Sequence, residues 1–352
     1  MKNILVNIFL LFFSFLFTIF SLEAAYRFYL FKQEDSIGSI ENIQTNAAAD
    51  IGKTNTLAKI IQKSNFDDVV YRLIPNMKVV FMGHEVQTNA FAGRGAEIKE
   101  KNLDTTRILG IGDSIQFGWG VEESDTYIKK LSDKLQSNSC KSEVLNFGVP
   151  GYNTAMEIAT LEKILLPLKP DYVILHVVGN DLELPRFMEA KENYLTSRKL
   201  FLIDFVKEKF FTAKSGDNDL LDLQKDFIRR ANKYTVQNQY SWMTGRKSFK
   251  KSIEKFIKLS QDNKFVPVVL LSTSDGHINK ILNSFAELKV IRIKSYVDDY
   301  FNKVMPNASK KERFIHLTIG GNDPHPNGIG HGLYSDALYD YFKGVCSEHS
   351  VN

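Results

Sequence analysis

Short apolar runs alternate with amphipathic stretches along most of the chain after residue 105. The apolar runs have the length of β-strands and are Arg107–Ile111, Glu143–Phe147, Tyr172–Val178, Phe265–Leu271 and Leu288–Ile293. Helical periodicity, with apolar side chains three or four positions apart, occurs at about 125–135, 154–168, 248–259 and 329–342. Runs that are apolar throughout are typical of strands buried on both faces of a sheet. The alternation predicts an α/β fold in which helices cover both faces of a parallel sheet.

The N-terminus has a different pattern, because Ile4–Leu22 contains no charged residue and is rich in Phe, Leu and Ile. As a helix this stretch would be about 28 Å long, close to the roughly 30 Å of a bilayer core. A cleaved signal peptide is the alternative, and it requires small residues at positions −3 and −1. Cleavage after Ala24 or Ala25 would place Leu22 or Glu23 at −3. We therefore expect an uncleaved membrane anchor.

Changes in composition divide the chain into five parts. The anchor occupies 1–32, a polar linker 33–65, a β-rich lead-in 66–105, and the main domain 106–346. An insertion at about 182–246 interrupts the main domain and is rich in Phe, Tyr, Leu and Lys. Since it leaves the end of the third strand, we expect a helical lid over the site. An outward-facing excursion or a patch that lies on the membrane surface is the alternative.

Charge and cysteine content add two constraints. The net charge is only +4 and is not gathered into a basic block, so the sequence gives no support for nucleic-acid binding. Cys140 follows the first helix of the main domain and Cys346 the last. If these helices lie side by side, the two cysteines are at the same end and within reach of a disulfide. Two unrelated thiols are the alternative, and the sequence does not decide between them.

Candidate chemistry begins where the first predicted strand ends, at Gly112-Asp113-Ser114. A strand that turns into a helix there places Ser114 on the carboxyl edge of the sheet, where open α/β folds bind their ligands. The dinucleotide-binding fingerprint is excluded because Ile115 stands where its third glycine belongs. The nucleophile elbow G-x-S-x-G is excluded because its last position is Gln116. A turn that merely caps a helix remains the alternative for this motif alone.

Three further stretches follow in order and change that interpretation. They are Asn146–Thr154, Gly179–Asp181 and Asp323–His331. Together with Gly112–Ser114, they resemble the sequence blocks of the SGNH (GDSL-type) hydrolase superfamily, in particular its membrane-anchored bacterial-type branch. The resemblance covers roughly 107–342. It implies a flavodoxin-like three-layer α/β/α fold with about five parallel strands, to which this chain adds the N-terminal transmembrane helix and the helical insertion.

The resemblance also implies a catalytic triad. Ser114 would be the nucleophile, and His325 the base that a serine hydroxyl needs near neutral pH. The acceptor for the second ring nitrogen of His325 would be Asp323. The family usually has this aspartate three residues before the histidine, where the present chain has Asn322. If Asp323 points away, Asn322 or a backbone carbonyl would have to hold the imidazole.

An oxyanion hole would complete the machinery. The family takes its donors from the nucleophile's own N–H, from a glycine N–H of the second block and from the asparagine of the third. These positions match Ser114, Gly151 and Asn180, with Gly148 as the alternative glycine. We expect Arg94 to brace the rim of the site. The sequence contains no zinc-binding H-E-x-x-H motif, and we expect neither a metal nor another cofactor.

The leading hypothesis is a membrane-tethered serine esterase with lipase-like chemistry, which forms an acyl-enzyme at Ser114. Its expected partners are an ester-bearing carbohydrate or lipid substrate and the membrane. By analogy with anchored relatives, we expect the catalytic domain outside the cytoplasm. The alternatives are an O-acyltransferase of an envelope polysaccharide with the same triad, and an inactive binding module that keeps the fold. Motifs alone do not distinguish the esterase from the O-acyltransferase, because access of water to the acyl-enzyme decides between them.

Overall fold

The computed structural model describes residues 2–34, 57–185, 188–190, 194–195, 200–206, 235–236, 238–320 and 323–349. The strands in chain order are β1 (Ile61–Lys63), β2 (Tyr71–Leu73), β3 (Lys78–Phe81), β4 (His84–Gln87), β5 (Thr106–Gly112), β6 (Ser142–Gly148), β7 (Tyr172–Val177), β8 (Glu189–Ala190), β9 (Thr235–Val236), β10 (Val266–Leu271), β11 (Lys289–Arg292), β12 (Thr318–Gly320) and β13 (Asp323–Pro326). The α-helices are α1 (Lys2–Glu34), α2 (Ser114–Phe117), α3 (Tyr127–Ser137), α4 (Thr154–Thr160), α5 (Phe201–Val206), α6 (Gly245–Asn263), α7 (Gly276–Leu282), α8 (Ile293–Val304), α9 (Lys310–Leu317) and α10 (Gly328–His349).

The central sheet has five strands in the order β11-β10-β7-β5-β6, and all neighbours are parallel. Numbered along the sheet strands alone, this is the order 2-1-3-4-5 of flavodoxin-like folds, read from the opposite edge. The predicted fold class is therefore confirmed. The five observed strands agree with the predicted runs to within two residues at each end.

Two apolar layers cover the sheet because successive side chains of each strand point to opposite faces. Leu109 packs on one face with Ile158 of α4 and Phe256 of α6. Its neighbour Ile108 packs on the other face with Leu131 of α3 and with the α10 helix. The predicted helical faces thus form the core that fixes the strand ends on which the site is built.

The β-rich lead-in consists of two antiparallel hairpins, β1–β2 and β3–β4. Their buried side chains join a third apolar cluster with Phe117 and Tyr152 of the main domain. Strand β1 lies within the stretch that we assigned to the linker, because Ile60 and Ile61 are buried in this cluster. The linker residues 35–56 lie outside the described residues.

Helix α1 is long and apolar enough to cross a membrane between Val6 and Leu30, although a signal sequence would also satisfy this criterion. Its apolar side chains are largely exposed. Of the insertion, the structure describes the short pair β8–β9, helix α5 and a 3-10 turn at Asn238–Met243. Most of the predicted helical lid lies outside the described residues.

The last third of the main domain contains elements that the sequence analysis missed. Helices α7, α8 and α9 and the hairpin β12–β13 all lie between β10 and α10. His325 lies on β13, and α10 begins three residues later. Cys140 is disulfide-bonded. The side chain of Cys346, the only other cysteine in the sequence, lies outside the described residues.

Candidate active site

Ser114 is held in a tight turn at the carboxyl end of β5. The Asp113 carboxylate accepts a hydrogen bond from the Ile115 N–H at 2.9 Å and so caps the one-turn helix α2 that Ser114 begins. The helix ends at Gly118, whose φ of +85° lies in the left-handed region. A side chain at Gly118 would also come within 3.0 Å of the Arg94 guanidinium. Local sequence therefore presents the Ser114 hydroxyl at the edge of the sheet.

Ser114, His325 and Asp323 form one continuous hydrogen-bonded series. The Ser114 Oγ lies 2.8 Å from the His325 Nε2, although the two residues are 211 positions apart. The His325 Nδ1 lies 2.5 Å from the Asp323 Oδ1, which also accepts the backbone N–H of His325 at 3.0 Å. The two-residue spacing lets one carboxylate oxygen bind both the ring and the backbone of the histidine. Asn322 lies outside the described residues.

The electrostatic environment keeps Asp323 ionised. Burial alone would raise the pKa of this carboxyl, but its hydrogen bonds with His325 outweigh burial and hold the pKa below the ordinary value. A carboxylate in this position favours the ring tautomer with a proton on Nδ1, which leaves Nε2 of His325 to accept the proton of Ser114. By contrast, burial raises the pKa of Asp113, which caps the turn.

Trp119 forms a wall against the histidine. Its ring stacks on that of His325 with centroids 5.3 Å apart and an interplanar angle of 23°. On its other side, Phe81 of the lead-in hairpin contacts the indole edge-on at 5.1 Å. The indole N–H lies near enough to Asp323 to lower its pKa, but makes no hydrogen bond of good geometry within the described part of the chain. The lead-in therefore supports the imidazole through the contact of Phe81 with Trp119. No sequence motif predicts this contact.

The second sequence block brings Gly151 to this edge. The Val149 N–H donates to the Gly112 carbonyl at 2.9 Å, which joins the block to the nucleophile turn. Tyr71 donates to the Pro150 carbonyl at 2.8 Å and fixes the peptide that precedes Gly151. Gly151 has a φ of +81°, and a Cβ there would meet the Tyr71 hydroxyl at 2.9 Å. Glycine is required at this position on both grounds.

Gly148, the alternative donor, has a different role. Its N–H donates to the Asn146 Oδ1 at 3.0 Å, and a Cβ would lie 2.1 Å from the Phe117 nitrogen. Its glycine character is thus explained by close packing beneath α2. The Gly151 N–H makes no hydrogen bond to any residue that the structure describes.

Asn180 follows β7, and its loop is tied to the second block. Asp181 accepts hydrogen bonds from the Val178 N–H at 2.5 Å and from the Thr154 hydroxyl at 2.7 Å. The Asn180 side-chain amide approaches the Asp113 carboxyl, while its Oδ1 is buried without a partner among the described residues. The third block therefore lies directly behind the nucleophile turn.

Buried ionisable groups surround this region. Burial raises the pKa of Asp181 to about 8. Burial also raises the pKa of Glu157 well above its ordinary value, with Asp181 and Asp113 adding to the shift. Neither Glu157 oxygen has a hydrogen-bond partner within the described ranges. Glu157 therefore stays protonated, since an unpaired buried carboxylate would be strongly destabilising.

Two polar networks brace the turn from below. Arg94 donates to the carbonyls of Phe117 and Gly118 at 3.0 and 2.7 Å and to that of Val121 at 2.8 Å. This agrees with the bracing role that we expected, and burial lowers the Arg94 pKa to about 10.

The second network begins at Gln116, on the nucleophile helix itself. Its side chain hydrogen-bonds to the Tyr127 hydroxyl, which lies 2.9 Å from the His176 Nδ1. The His176 Nε2 in turn lies 2.8 Å from the Ser272 hydroxyl. Sequence analysis missed this network, although the single histidine inside the apolar β7 run was a visible signal.

No group of three or more His, Cys, Asp or Glu side chains that could hold a metal ion occurs in the part of the chain that the structure describes.

Comparison with known proteins places this arrangement in context. Residues 111–236 match the model of the GDSL-like Lipase/Acylhydrolase family, a stretch that includes Ser114, Gly151 and Asn180 and ends before Asp323. No curated protein sequence matches the chain.

Similar solved structures include esterases. The psychrotrophic esterase EstA from Pseudoalteromonas sp. is 14% identical, with 69% of this chain and 99% of that chain covered and a TM-score of 0.41. The acetyl xylan esterase AlAXEase is 19% identical, with 67% and 98% covered and a TM-score of 0.40. The protein TesA is 14% identical, with 68% and 99% covered and a TM-score of 0.40.

The family match confirms the resemblance that the four sequence blocks predicted. It also confirms the predicted class of enzyme, a hydrolase that acts on ester bonds. Over residues 111–236 this chain is similar to the GDSL-like Lipase/Acylhydrolase family.

Proposed function

We propose that this protein is a membrane-anchored serine esterase that removes O-acyl groups from a carbohydrate or lipid through a seryl acyl-enzyme. The observation that carries the proposal is the hydrogen-bonded series from Ser114 Oγ to His325 Nε2 and from His325 Nδ1 to Asp323. The match to the family model supports the reaction class, and this series supports the assignment of roles.

In the proposed mechanism, the Ser114 oxygen attacks the ester carbonyl while His325 accepts the hydroxyl proton at Nε2. Asp323 stabilises the imidazolium that forms. The tetrahedral intermediate then collapses, and His325 returns the proton to the departing alcohol. Water repeats the sequence on the acyl-enzyme, which releases the acid and restores the Ser114 hydroxyl.

The negative charge on the tetrahedral oxygen needs donors that are not already engaged. The N–H groups of Ser114 and Gly151 meet this requirement in the proposed mechanism. Asn180 would contribute its side-chain N–H once the amide turns towards substrate, and its unpartnered Oδ1 leaves such a turn without a hydrogen bond to break on that side.

A fluorophosphonate probe tests the nucleophile directly. The wild-type protein should be labelled at Ser114, whereas Ser114→Ala and His325→Ala should not be. Absence of labelling in folded wild-type protein would favour an inactive binding module and reject the mechanism.

Substrate class requires a second experiment, in which esters of graded acyl length are supplied with and without sugar acceptors. Release of free acid that does not change when a sugar is added would support the esterase. Transfer of the acyl group to the sugar at the expense of free acid would identify an O-acyltransferase that uses the same triad.

The same proposal places α1 in the membrane and the catalytic domain outside the cytoplasm. It is supported by the length and exposed apolar surface of α1. Protease added to intact cells or spheroplasts should then digest the catalytic domain, whereas digestion only after lysis would contradict this orientation.

A further inference from the structure

Helix α5, in the insertion, packs directly against the end of the apolar helix α1. The Glu23 carboxylate accepts the backbone N–H groups of Phe201 and Leu202 at 2.8 and 2.7 Å, which caps the start of α5. The same carboxylate pairs with Arg27 at 2.7 Å. Although Glu23 carries a charge beside an apolar span, it is only 6% exposed. Through these hydrogen bonds, the Glu23 carboxylate joins α1 to α5, and we call this contact region the junction.

Arg27 and Tyr26 extend the junction along α1. The Arg27 guanidinium lies 4.8 Å from the centre of the Phe201 ring and donates to the Tyr194 carbonyl. The rings of Tyr26 and Phe205 are 5.2 Å apart. Phe201 and Phe205 are four residues apart, so one face of α5 is turned towards α1.

The opposite side of α5 is also apolar. Leu200, Ile203 and Val206 occur at intervals of three residues and are 49%, 41% and 36% exposed. Apart from Asp204, every residue of α5 is apolar, and this composition suits a hydrocarbon environment better than water. Leu22 and most of the apolar side chains that precede it on α1 are exposed as well.

The position along α1 indicates depth in the membrane. The uncharged stretch ends at Leu22, immediately before the Glu23–Arg27 pair. Charged residues near the end of a span lie close to the polar boundary, and tyrosine residues such as Tyr26 are enriched there. The junction with α5 therefore falls at the boundary between hydrocarbon and headgroups.

We propose that α5 is a second membrane contact, with Ile203 and Val206 inserted at the lipid boundary beside α1. The occupant of its exposed face is lipid, because α5 is packed on the helix that the proposed function places in the membrane. This inference rests on the proposed anchor and extends the proposed function, since it places the active site near the bilayer surface.

Chain length limits the distance between the apolar cluster next to Ser114 and the junction of α1 with α5. Met188 is buried in the apolar cluster that contains Phe117, which lies three residues after Ser114. Tyr194 at the junction is six positions after Met188, and six extended residues span at most about 21 Å. The enzyme is therefore suited to esters displayed at the membrane surface, where lipid or lipid-linked carbohydrate presents them.

Fluorescence quenching of the full-length protein in phosphatidylcholine–phosphatidylglycerol vesicles tests the inference. Ile203→Cys carries an environment-sensitive fluorophore, and lipids with a shallow nitroxide group act as quenchers. Lys250→Cys, at an exposed position on α6, is the matched control. Unmodified protein measures labelling of the native cysteines.

We expect about threefold stronger quenching at position 203 than at position 250, because only the former would lie among lipids. Glu23→Ala in the Ile203→Cys background should reduce the quenching towards the control, since the junction loses its cap. Equal quenching at positions 203 and 250 would overturn the inference, and quenching unaffected by Glu23→Ala would overturn the role of the junction.

Labelling of Ser114 by a fluorophosphonate in the same samples reports the catalytic mechanism separately. Quenching at position 203 without labelling would support the lipid contact and reject the esterase. Labelling without quenching would support the esterase and reject the lipid contact.

Discussion

The two edges of the five-stranded sheet use polar groups in opposite ways. At the amino edge, Arg107 is 3% exposed, pairs with Glu143 at 2.6 Å and donates to the carbonyls of Leu168 and Lys99. Its own N–H donates to Asp171, which also pairs with Lys101. At the carboxyl edge, the Gly151 N–H has no partner among the described residues. A polar group whose hydrogen bonds are all made stabilises the fold, whereas a free N–H at the rim of the site can bind a substrate oxygen.

We expect substitutions at one edge of the sheet to affect activity and substitutions at the other edge to affect stability. Substitutions at the carboxyl edge should lower turnover in a protein that stays folded. Substitutions at the amino edge should lower stability while the folded fraction keeps its activity. Substitutions at both edges test this separation.

His325→Ala should have the largest effect on activity. Removal of the base leaves the Ser114 hydroxyl without an acceptor at 2.8 Å, and kcat should fall by about 10⁴- to 10⁶-fold. His277→Ala, at an exposed position on α7, is the control and should be fully active. Ester hydrolysis and thermal melting should be measured on both; unchanged kcat in His325→Ala would remove the base from the mechanism.

Asn180→Ala should reduce kcat by about 10²- to 10³-fold, because one donor to the developing oxyanion is lost. The KM should change little, since the interaction strengthens in the transition state. Asn138→Ala, at the exposed end of α3, controls for loss of an asparagine. Full turnover by Asn180→Ala would exclude its side chain from the oxyanion hole.

Arg107→Met tests the amino edge. The variant leaves Glu143 and two carbonyl groups without their donor, and the free energy of unfolding should fall by about 2–4 kcal/mol. Lys141→Met breaks the exposed pair with Asp104 and should have no measurable effect on stability. Denaturant titration gives the stabilities, and kcat per folded molecule should match wild type. Reduced kcat in folded Arg107→Met would show that the two edges are coupled.

His176 provides a prediction that depends on pH. Burial lowers the pKa of His176 to about 3, whereas an unfolded histidine titrates near pH 6.5. Between these values the unfolded state binds more protons, so the contribution of His176 to stability falls as the pH falls.

The variant His176→Asn cannot lose stability in this way. At pH 7 it should be less stable than wild type because it loses hydrogen bonds to Tyr127 and Ser272. From pH 6.5 to pH 5 the difference should narrow by up to about 2 kcal/mol. Denaturant titrations across this range isolate His176 from the buried carboxyl groups, whose raised pKa values act in the opposite direction. If the difference in unfolding free energy between wild type and His176→Asn stays constant or widens, the lowered pKa of His176 is contradicted.

Trp119→Leu should have the smallest effect, a fall of about tenfold in kcat, because the imidazole loses its stacked wall but keeps Asp323. Trp119→Phe preserves an aromatic face and should recover most of the activity. The acidic limb of the pH–rate profile should be measured for both variants. Equal activity of Leu and wild type at position 119 would show that Asp323 alone orients His325.

Much of this molecule could be predicted from local pattern. Apolar runs predicted the five strands. The resemblance of four sequence blocks predicted the order of the sheet and identified Ser114, Asp323 and His325 as candidates. Helix α8 was missed although Ile293, Val297, Tyr300 and Phe301 have helical spacing, because the stretch was treated as a connection. The hairpin β12–β13 was missed because Gly and Pro in its strands hide the β pattern.

Other features depend on contacts between distant segments, which local pattern does not contain. Nothing near Arg94 indicates that its guanidinium binds carbonyl groups of residues 117, 118 and 121. The stack of Trp119 on His325 joins positions 206 residues apart. The Glu23 cap joins the anchor to the insertion over 178 residues. Such contacts follow from the packed fold and could not have been inferred before it.

The separation of 211 residues between nucleophile and base also has a consequence for biosynthesis. Residue 325 must be translated before any acyl chemistry can begin. Nascent chains therefore have no enzymatic activity until synthesis reaches the final helix. Pairing of segments this distant is a slow step in folding, which makes enzymatic activity a late marker of maturation. A chain released after residue 320 could have a complete central sheet and still be inert.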